Sequence, residues 1–444
     1  MGSEWRKIPL GNLIALQRGH DLPSQYREAG HVPIMGSSGL TGFHSKPKCK
    51  GPGVVVGRSG NSMGVVNYCD VDYWPLNTAL YVTNFKGNNE RYIYYLLSQI
   101  DFDQFNSGSA QKSLNRNAVS PYEVWATEDK HEQKRIGRIL EILEHKIELN
   151  RQINQTLEEM AQALFKSWFV DFDPVIDNAL AAGKPIPEEL QARAQRRQQQ
   201  LAKPDHQPLP DDVRQLFPSE FEETEALGWV PKGWEVSNIK SFGRVVTGKT
   251  PPKSVEGAYD EVGFPFITPT DIDDSIFVVK VNRYLSDEGA FVINKNKILK
   301  GSVCVTCIGS QMGKTVISPT DAYTNQQINS VVMRDDSSRN YLFYNLRGRR
   351  DEIFSLGASG STMPILNKSS FENLLVLRPS DRILRKYQEF TSEQMEGVLQ
   401  RFIQIESLEC IRDTLLPKLI SGELRLPESM LDSETNPPAE TAYE

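Results

Sequence analysis

The chain has 444 residues, 39% apolar and 24% charged, which is typical of a globular protein with room for two or three domains. No apolar run reaches the roughly 18 residues of a membrane span, no signal-peptide core opens the sequence, and five cysteines form no disulfide framework, so we expect a cytoplasmic protein. The net charge of −7 argues against a protein that coats nucleic acid by bulk charge.

The first feature along the chain is a segment that recurs in the second half. Residues 5–23, WRKIPLGNLIALQRGHDLP, align with residues 234–252, WEVSNIKSFGRVVTGKTPP, at a constant spacing of 229 positions. Three more pairs follow in the same order, and the offset grows to about 252: VPI 32–34 with FPF 264–266, GVVVGRSGNSMG 53–64 with GSVCVTCIGSQMG 301–313, and GSAQKSLN 108–115 with GSTMPILN 360–367. The pattern predicts an internal duplication with insertions in the second copy.

Each copy combines short strands with short helices. Val54 to Val56 and Val303 to Val305 are β-branched runs closed by a glycine, which is typical of strands that end in tight turns. Tyr92 to Ile100 and Tyr341 to Leu346 favour short helices. We therefore predict an α+β protein with two repeated domains, 1–130 and 233–381, each with a mixed or antiparallel sheet.

A long helical pattern follows each copy, over 131–170 and 382–424. The first would be roughly 57 Å long at 1.5 Å per residue, and Asn150 and Asn154 are polar at its heptad seam, where such residues specify register. The two helices are predicted to pair with each other, the alternative being that each packs on its own domain. The seam positions include Leu143, Leu157, Leu164 and Trp168 on the first helix and Phe402, Ile405, Leu408, Ile411 and Leu415 on the second.

The remaining segments are a linker and a tail. Residues 171–232 contain an Ala/Gln/Arg-rich stretch with a helical pattern and a proline-rich stretch, which indicates an insertion or linker. Residues 425–444 are polar and acidic, which favours disorder. Residues 1–130 and 233–380 each carry a net charge of +2, so the rest of the chain carries −11. The charge of the two repeated domains is therefore compatible with nucleic acid.

A search for catalytic and metal-binding patterns predicts neither. All six histidines lie in the first half, and Cys304-x-x-Cys307 lacks the second pair that a zinc site needs. The segment from Gly309 to Thr315 is one residue short of a phosphate-binding loop and favours a strand-turn-strand element instead. We expect a binding or scaffolding protein without a cofactor of its own.

Two mildly basic domains joined by rigid helices suit the reading of two separated half-sites on double-stranded DNA. The alternative is a repeat-built scaffold or adaptor that assembles protein partners through its coiled coil and reads no DNA. Candidate DNA contacts are polar or basic residues beside loop glycines: Ser37, Ser38, Arg58, Asn61, Ser109, Gln111, Lys112, Asn115, Arg116, Lys249, Lys253, Thr268, Thr270, Gln311, Lys314, Ser361, Thr362, Asn367 and Lys368.

Several stretches of the sequence, most of them in or beside the helical patterns, resemble the DNA-specificity subunits of type I restriction-modification systems. The resemblance covers nearly the whole chain, and its specific stretches are EQKRI (132–136), KIELN (146–150), ALFKSWFVDF (163–172), LFP (216–218), PKGW (231–234) and RDTLLPKLISGEL (412–424). It implies two target-recognition domains separated by an antiparallel helix pair, a split DNA target, and no active site on this chain. It also implies two modification subunits that use S-adenosylmethionine to methylate adenine N6, and restriction subunits that use ATP and Mg²⁺.

Overall fold

The computed structural model of the chain describes residues 4–108, 111–204, 207–358 and 364–427. It divides into two compact units. Unit 1 comprises Met1–Glu148 with Ser407–Glu444, and unit 2 comprises Leu149–Glu406. Within the described ranges, no helix is long and apolar enough to cross a membrane.

The described residues of unit 1 form nine strands and three short α-helices, followed by a long helix that continues into unit 2. Its strands are β1 (Trp5–Pro9), β2 (Ala15–Arg18), β3 (Val32–Gly36), β4 (Gly39–His44), β5 (Gly53–Gly57), β6 (Val66–Cys69), β7 (Trp74–Pro75), β8 (Ala79–Asn84) and β9 (Glu123–Thr127), and its helices are α1 (Leu10–Leu13), α2 (Glu90–Ser98), α3 (Arg116–Val119) and the start of α4 (Lys130–Phe169).

Unit 2 contains the insertion and the second copy. The insertion holds α5 (Asp173–Ala182), α6 (Gln191–Leu201), α7 (Asp211–Arg214) and a hairpin of β10 (Phe221–Thr224) and β11 (Gly228–Pro231). The second copy holds β12 (Glu235–Asn238), β13 (Gly243–Thr247), β14 (Tyr259–Asp260), β15 (Phe264–Ile267), β16 (Tyr284–Leu285), α8 (Asp287–Val292), β17 (Val303–Thr306), β18 (Thr315–Ile317), β19 (Tyr323–Thr324), β20 (Ile328–Met333), α9 (Arg339–Arg347), α10 (Arg350–Ala358), α11 (Lys368–Glu372), β21 (Leu375–Arg378) and α12 (Asp381–Ser421), the last of which continues into unit 1.

The two copies have the same sheet topology, as the duplication predicts. The antiparallel sheet β2-β8-β5-β6 of unit 1 corresponds to β13-β20-β17-β18 of unit 2. In each unit the first strand of the copy pairs with the last, β1 with β9 and β12 with β21. A short parallel pair also recurs, β3 with β7 and β15 with β19. The predicted strands and short helices are confirmed in both copies.

The glycine turn after the central strand is the most closely repeated element. Gly60 and Gly64 in unit 1 and Gly309 and Gly313 in unit 2 all have φ between 74° and 92°, a left-handed conformation that favours glycine. The turn is closed by the same bond in each copy, from Gly64 N to Gly57 O and from Gly313 N to Thr306 O, both 2.8 Å long. The predicted strand-turn-strand reading of both segments is confirmed.

The first long helix begins at a polar cap and runs for 40 residues. The Asp129 carboxylate accepts bonds from the backbone N–H groups of His131 and Glu132, which satisfies two donors of the first turn. The helix is closely packed at Gly137, since a Cβ there would lie 3.0 Å from Asn89 Oδ1. The absence of proline lets the helix continue through the rest of the pattern.

The long helices pair antiparallel within each unit. In unit 2, Asn150 Nδ2 donates to Gln404 Oε1 at 2.8 Å, and Tyr387 Oη donates to Ala161 O at 3.2 Å, so positions rise on one helix as they fall on the other. In unit 1, the start of α4 and the end of α12 bury their apolar side chains in one core. The predicted pairing of the helices is confirmed, and it also completes the core of each unit.

The predicted seam residues are buried or half-buried, with one exception. Ile411 is 46% exposed, because the apolar stripe at this end of α12 moves to Leu415, Leu416 and Leu419. The expectation for Ile411 was therefore wrong. Buried seam residues are Asn150, Asn154, Trp168 and Ile405, and half-buried ones are Leu143, Leu157, Leu164, Phe402, Leu408 and Leu415.

The insertion of 171–232 packs onto unit 2. Val175, Val213 and Phe217 are buried in the same cluster as Trp168 and Trp234. The Arg197 guanidinium contacts the Asp177 carboxylate at 2.5 Å and ties α6 to α5. The segment therefore extends the core of the second copy.

Candidate DNA interface

A polar cleft of about 690 Å³ lies in unit 1 beside the sheet β2-β8-β5-β6. Three arginines from separate parts of the chain reach it: Arg18 at the end of β2, Arg58 after β5 and Arg116 at the start of α3. The full lining is Gln17, Arg18, Gly19, His20, Asp21, Arg58, Leu80, Ser107, Ser113, Leu114, Asn115 and Arg116. Basic, amide and hydroxyl groups dominate this lining, which are the groups that contact DNA phosphates and base edges.

The backbone of Arg58 is held on both sides. Its N–H donates to Thr78 O at 2.9 Å, and its carbonyl accepts from Leu114 N at 2.8 Å. The residue directly follows the central strand β5, whose five residues are all buried. The half-buried Arg58 side chain therefore leaves a rigid part of the domain.

Asn77 organises the arginines at the entrance to the cleft. Its carbonyl accepts from Arg18 Nε at 3.3 Å and from Arg58 Nη1 at 3.4 Å. Its side-chain amide donates to the carboxylate of Asp21, which is the acidic residue of the cleft lining. This carboxylate therefore has a hydrogen-bond partner other than the three arginines. One backbone carbonyl thus orients two cations and leaves most of their donors available.

The three arginines have no carboxylate partner within 4 Å in the part of the chain that the structure describes. Elsewhere in unit 1, Arg6 pairs with Glu128, and Arg91 pairs with Asp70 and Glu141. Three unpaired guanidinium groups in one cleft produce a positive potential that attracts a polyanion.

His20 adds a neutral polar group to the cleft. Burial, assisted by Lys48, lowers the pKa of its imidazole below the ordinary value. Its Nε2 lies 3.3 Å from Tyr81 Oη. At neutral pH this residue therefore presents an uncharged imidazole beside the arginines.

Of the sequence-predicted residues of the first copy, the structure brings Arg58, Asn115 and Arg116 together in the cleft. Ser37 is used internally: its hydroxyl lies 3.0 Å from Ser59 O and 2.8 Å from Thr78 O. Lys112 Nζ forms an ion pair with the Asp103 carboxylate at 2.6 Å. The predicted residues Ser38, Asn61 and Gln111 are exposed.

In the second copy, several predicted residues hold the local structure. The buried Thr268 caps a short turn with Asp271, and its Oγ1 lies 2.8 Å from Thr270 Oγ1. Asn367 caps α11, and Lys314 Nζ donates to Ile272 O at 3.2 Å. The exposed residues among the predicted ones include Lys249, Lys253, Gln311 and Lys368. Of these, Lys368 forms an ion pair with Glu372 at 3.4 Å. Ser109, Ser361 and Thr362 lie outside the described residues.

The equivalent surface of unit 2 is built on the same backbone bonds but carries different side chains. Cys307 takes the place of Arg58, because its N–H donates to Gln327 O and its carbonyl accepts from Leu366 N. Thr247 and Lys368 take the places of Arg18 and Arg116 at the offsets of 229 and 252. Cys307 is buried, and Thr247 Oγ1 donates to Asn329 Oδ1 at 2.6 Å. Unit 2 therefore lacks these three arginines.

The cysteine pair of unit 2 is part of the core. Cys304 and Cys307 are both buried, and burial raises the pKa of both thiols to about 12. Among the described residues, no group of three or more His, Cys, Asp or Glu side chains is placed to hold a metal ion.

Sequence reasoning missed several residues of the cleft, of which Arg18 is the most important. Arg18 directly precedes Gly19, so the rule of polar residues beside loop glycines applied to it as well. His20 and Ser107 also lie next to a glycine, so the same rule applied to them, whereas no signal in the sequence points to Gln17 and Ser113.

Comparison with known proteins identifies the family of the chain. Residues 2–159 and 231–403 match the family model described as "Type I restriction modification DNA specificity domain". The chain belongs to this family. Each match covers one of the two copies and part of the long helix that follows it, so this specificity subunit carries the domain twice.

Curated relatives agree with this identification. The chain is 36% identical over 320 residues to the type I restriction enzyme HindI specificity subunit of Haemophilus influenzae, which covers 67% of this chain and 68% of that protein. It is 23% identical over 378 residues to the MjaIX specificity subunit of Methanocaldococcus jannaschii, covering 83% and 77%. The chain is accordingly a non-catalytic specificity subunit of a type I restriction-modification system.

The fold agrees with a crystal structure of the type I restriction-modification system S subunit from M. genitalium. The TM-score is 0.64 over 96% of this chain and 97% of that one, at 15% sequence identity. This likeness shows that the architecture of two domains and long helices is shared.

Proposed function

We propose that this specificity subunit reads a bipartite target on double-stranded DNA, one half through unit 1 and the other through unit 2. The supporting observation is that one hydrogen-bonded frame occurs twice and carries different side chains: Arg58 in one copy and Cys307 in the other. Different polar surfaces recognise different base sequences, so the target would be asymmetric.

On this proposal the chain directs partner subunits that perform the chemistry in the cytoplasm. Two modification subunits would bind S-adenosylmethionine and methylate adenine N6, and restriction subunits would use ATP and Mg²⁺. The helices α4 and α12, each continuous through residues of both units, would set the number of base pairs between the half-sites.

The test is to express the chain with the modification subunits of its own system in a host without adenine methylation, and to sequence the methylome. We expect methyladenine in one split, asymmetric motif, and its loss when this chain is omitted. Methylation in the same pattern without this chain would contradict the proposal.

A second arm tests the cleft against the scaffold alternative. Combined replacement of Arg18, Arg58 and Arg116 by Glu should reduce methylation by about 100-fold or more, because three phosphate- or base-binding cations become anions. Co-purification of the modification subunits serves as the assembly control. Intact assembly with unchanged methylation would favour a scaffold that reads no DNA.

A further inference from the structure

The three arginines of the unit 1 cleft differ in how far they are buried. Arg58 is half-buried and its backbone N–H and C=O are both bonded to neighbouring segments, at 2.9 and 2.8 Å. Arg18 and Arg116 are exposed; Arg18 Nε donates to Asn77 O at 3.3 Å, and Arg116 Nη1 donates to Leu16 O at 3.5 Å. The cleft thus has one half-buried arginine and two exposed ones.

This difference bears on which DNA group each arginine contacts. Bidentate recognition of a base requires the guanidinium fork to be held in a defined direction, whereas a phosphate accepts a cation from many directions. The commonest bidentate partner of arginine in the major groove is guanine, through O6 and N7. All three arginines meet the requirement of charge. The half-buried Arg58 side chain also has its directions of approach restricted by the surrounding protein, whereas those of the exposed Arg18 and Arg116 are less restricted.

Resting on the proposed function, we infer that Arg58 is a specificity-determining residue that reads a guanine in the half-site of unit 1, while Arg18 and Arg116 bind phosphates beside it. The free donors of Arg58 fit this role, because Nη1 is shared with Asn77 O at 3.4 Å and the other guanidinium N–H groups remain available for a base. The equivalent residue Cys307 is buried, so unit 2 reads its half-site without an arginine at this position.

The test compares methylomes of the complete complex carrying Arg58→Lys, Arg58→Ala or Arg18→Ala. Arg58→Lys retains the charge and removes the fork, so we expect one guanine position of one half-site to become degenerate, with a loss of discrimination of about tenfold to a hundredfold. Arg58→Ala should make the same guanine position degenerate and should also lower the overall level of methylation. Arg18→Ala should weaken methylation evenly at all sites and leave the motif unchanged, as for a phosphate contact.

Arg6→Ala is a matched control, since Arg6 is an exposed arginine of unit 1 that is paired with Glu128 outside the cleft. It should leave both motif and rate unchanged. An unchanged motif in Arg58→Lys and Arg58→Ala, or a wild-type target with no guanine in either half-site, would overturn the inference while leaving the proposed function standing. Absence of any split motif with wild-type chain would instead contradict the proposed function.

Discussion

The two units show how one framework serves two different surfaces. The bonds around the glycine turn agree closely in length and position between the copies, yet at one equivalent position Arg58 reaches the cleft in unit 1 and Cys307 is buried in the core of unit 2. Backbone hydrogen bonds do not depend on side-chain identity, so the frame tolerates replacement of the residues that it presents. A duplicated domain can therefore diverge in specificity without losing its fold.

The cores of the two units differ as well, at the ends of the long helices. Trp168 and Phe169 of α4 are buried in unit 2 at the positions that Leu419 and Ile420 of α12 occupy in unit 1, at an offset of 251. The aromatic pair contacts the insertion through Phe217, with ring centroids of Trp168 and Phe217 5.1 Å apart. The larger side chains thus accompany the extra segment of unit 2.

Among changes that should destabilise one core and not the other, Trp168→Ala is expected to have the largest effect on stability. The side chain is 1% exposed, so its removal should lower the free energy of unfolding of unit 2 by about 3–5 kcal/mol. Native-state hydrogen exchange should show the loss in unit 2 before unit 1. Met160→Ala on the same helix is the control, because Met160 is 53% exposed and should change stability by less than about 0.5 kcal/mol. Equal loss of protection in both units would show that they unfold as one.

Trp5 and Trp234 occupy equivalent positions at the start of the two copies, and their indole N–H groups allow a second comparison with a smaller expected effect. Trp5 Nε1 donates to Ile420 O at 2.9 Å, whereas Trp234 Nε1 is buried and has no acceptor among the described residues. Trp5→Phe should therefore cost about 1–2 kcal/mol more than Trp234→Phe, as measured by denaturant unfolding. A larger cost for Trp234→Phe would show that its N–H has a partner in solution.

The smallest expected effect concerns the polar seam of unit 2. Asn154 Nδ2 donates to Val398 O at 3.3 Å, but its buried Oδ1 has no donor among the described residues. Asn154→Leu should raise the unfolding free energy by about 0.5–1 kcal/mol, because an unsatisfied buried polar atom is removed. Asn150→Leu, which breaks the bond to Gln404, is the comparison and should not stabilise. A fall in stability with Asn154→Leu would show that Oδ1 is bonded, for example to water.

The sequence alone determined the features that depend on pattern and repetition. The duplication was readable because the framework glycines and prolines must recur where the backbone turns, as at Gly60 and Gly309. The long helices were readable because a sustained heptad of apolar residues favours a helix over other structures, and this holds for the second helix even with Pro417 inside it. Most of the seam positions followed from the same periodicity. Ile411 was wrong because the apolar stripe of α12 moves to Leu415, Leu416 and Leu419 where the helix enters the core of unit 1.

Only the tertiary structure decided which polar residues come together. Arg18, Arg58 and Arg116 are far apart in sequence, and they meet because β2 and β5 end, and α3 begins, at one side of a single domain. Lys112, Thr268 and Asn367 look similar to them in sequence, yet each is engaged in an ion pair or a cap within the protein. Local sequence records the chemistry of a side chain, whereas its availability to DNA depends on long-range neighbours that no local pattern encodes.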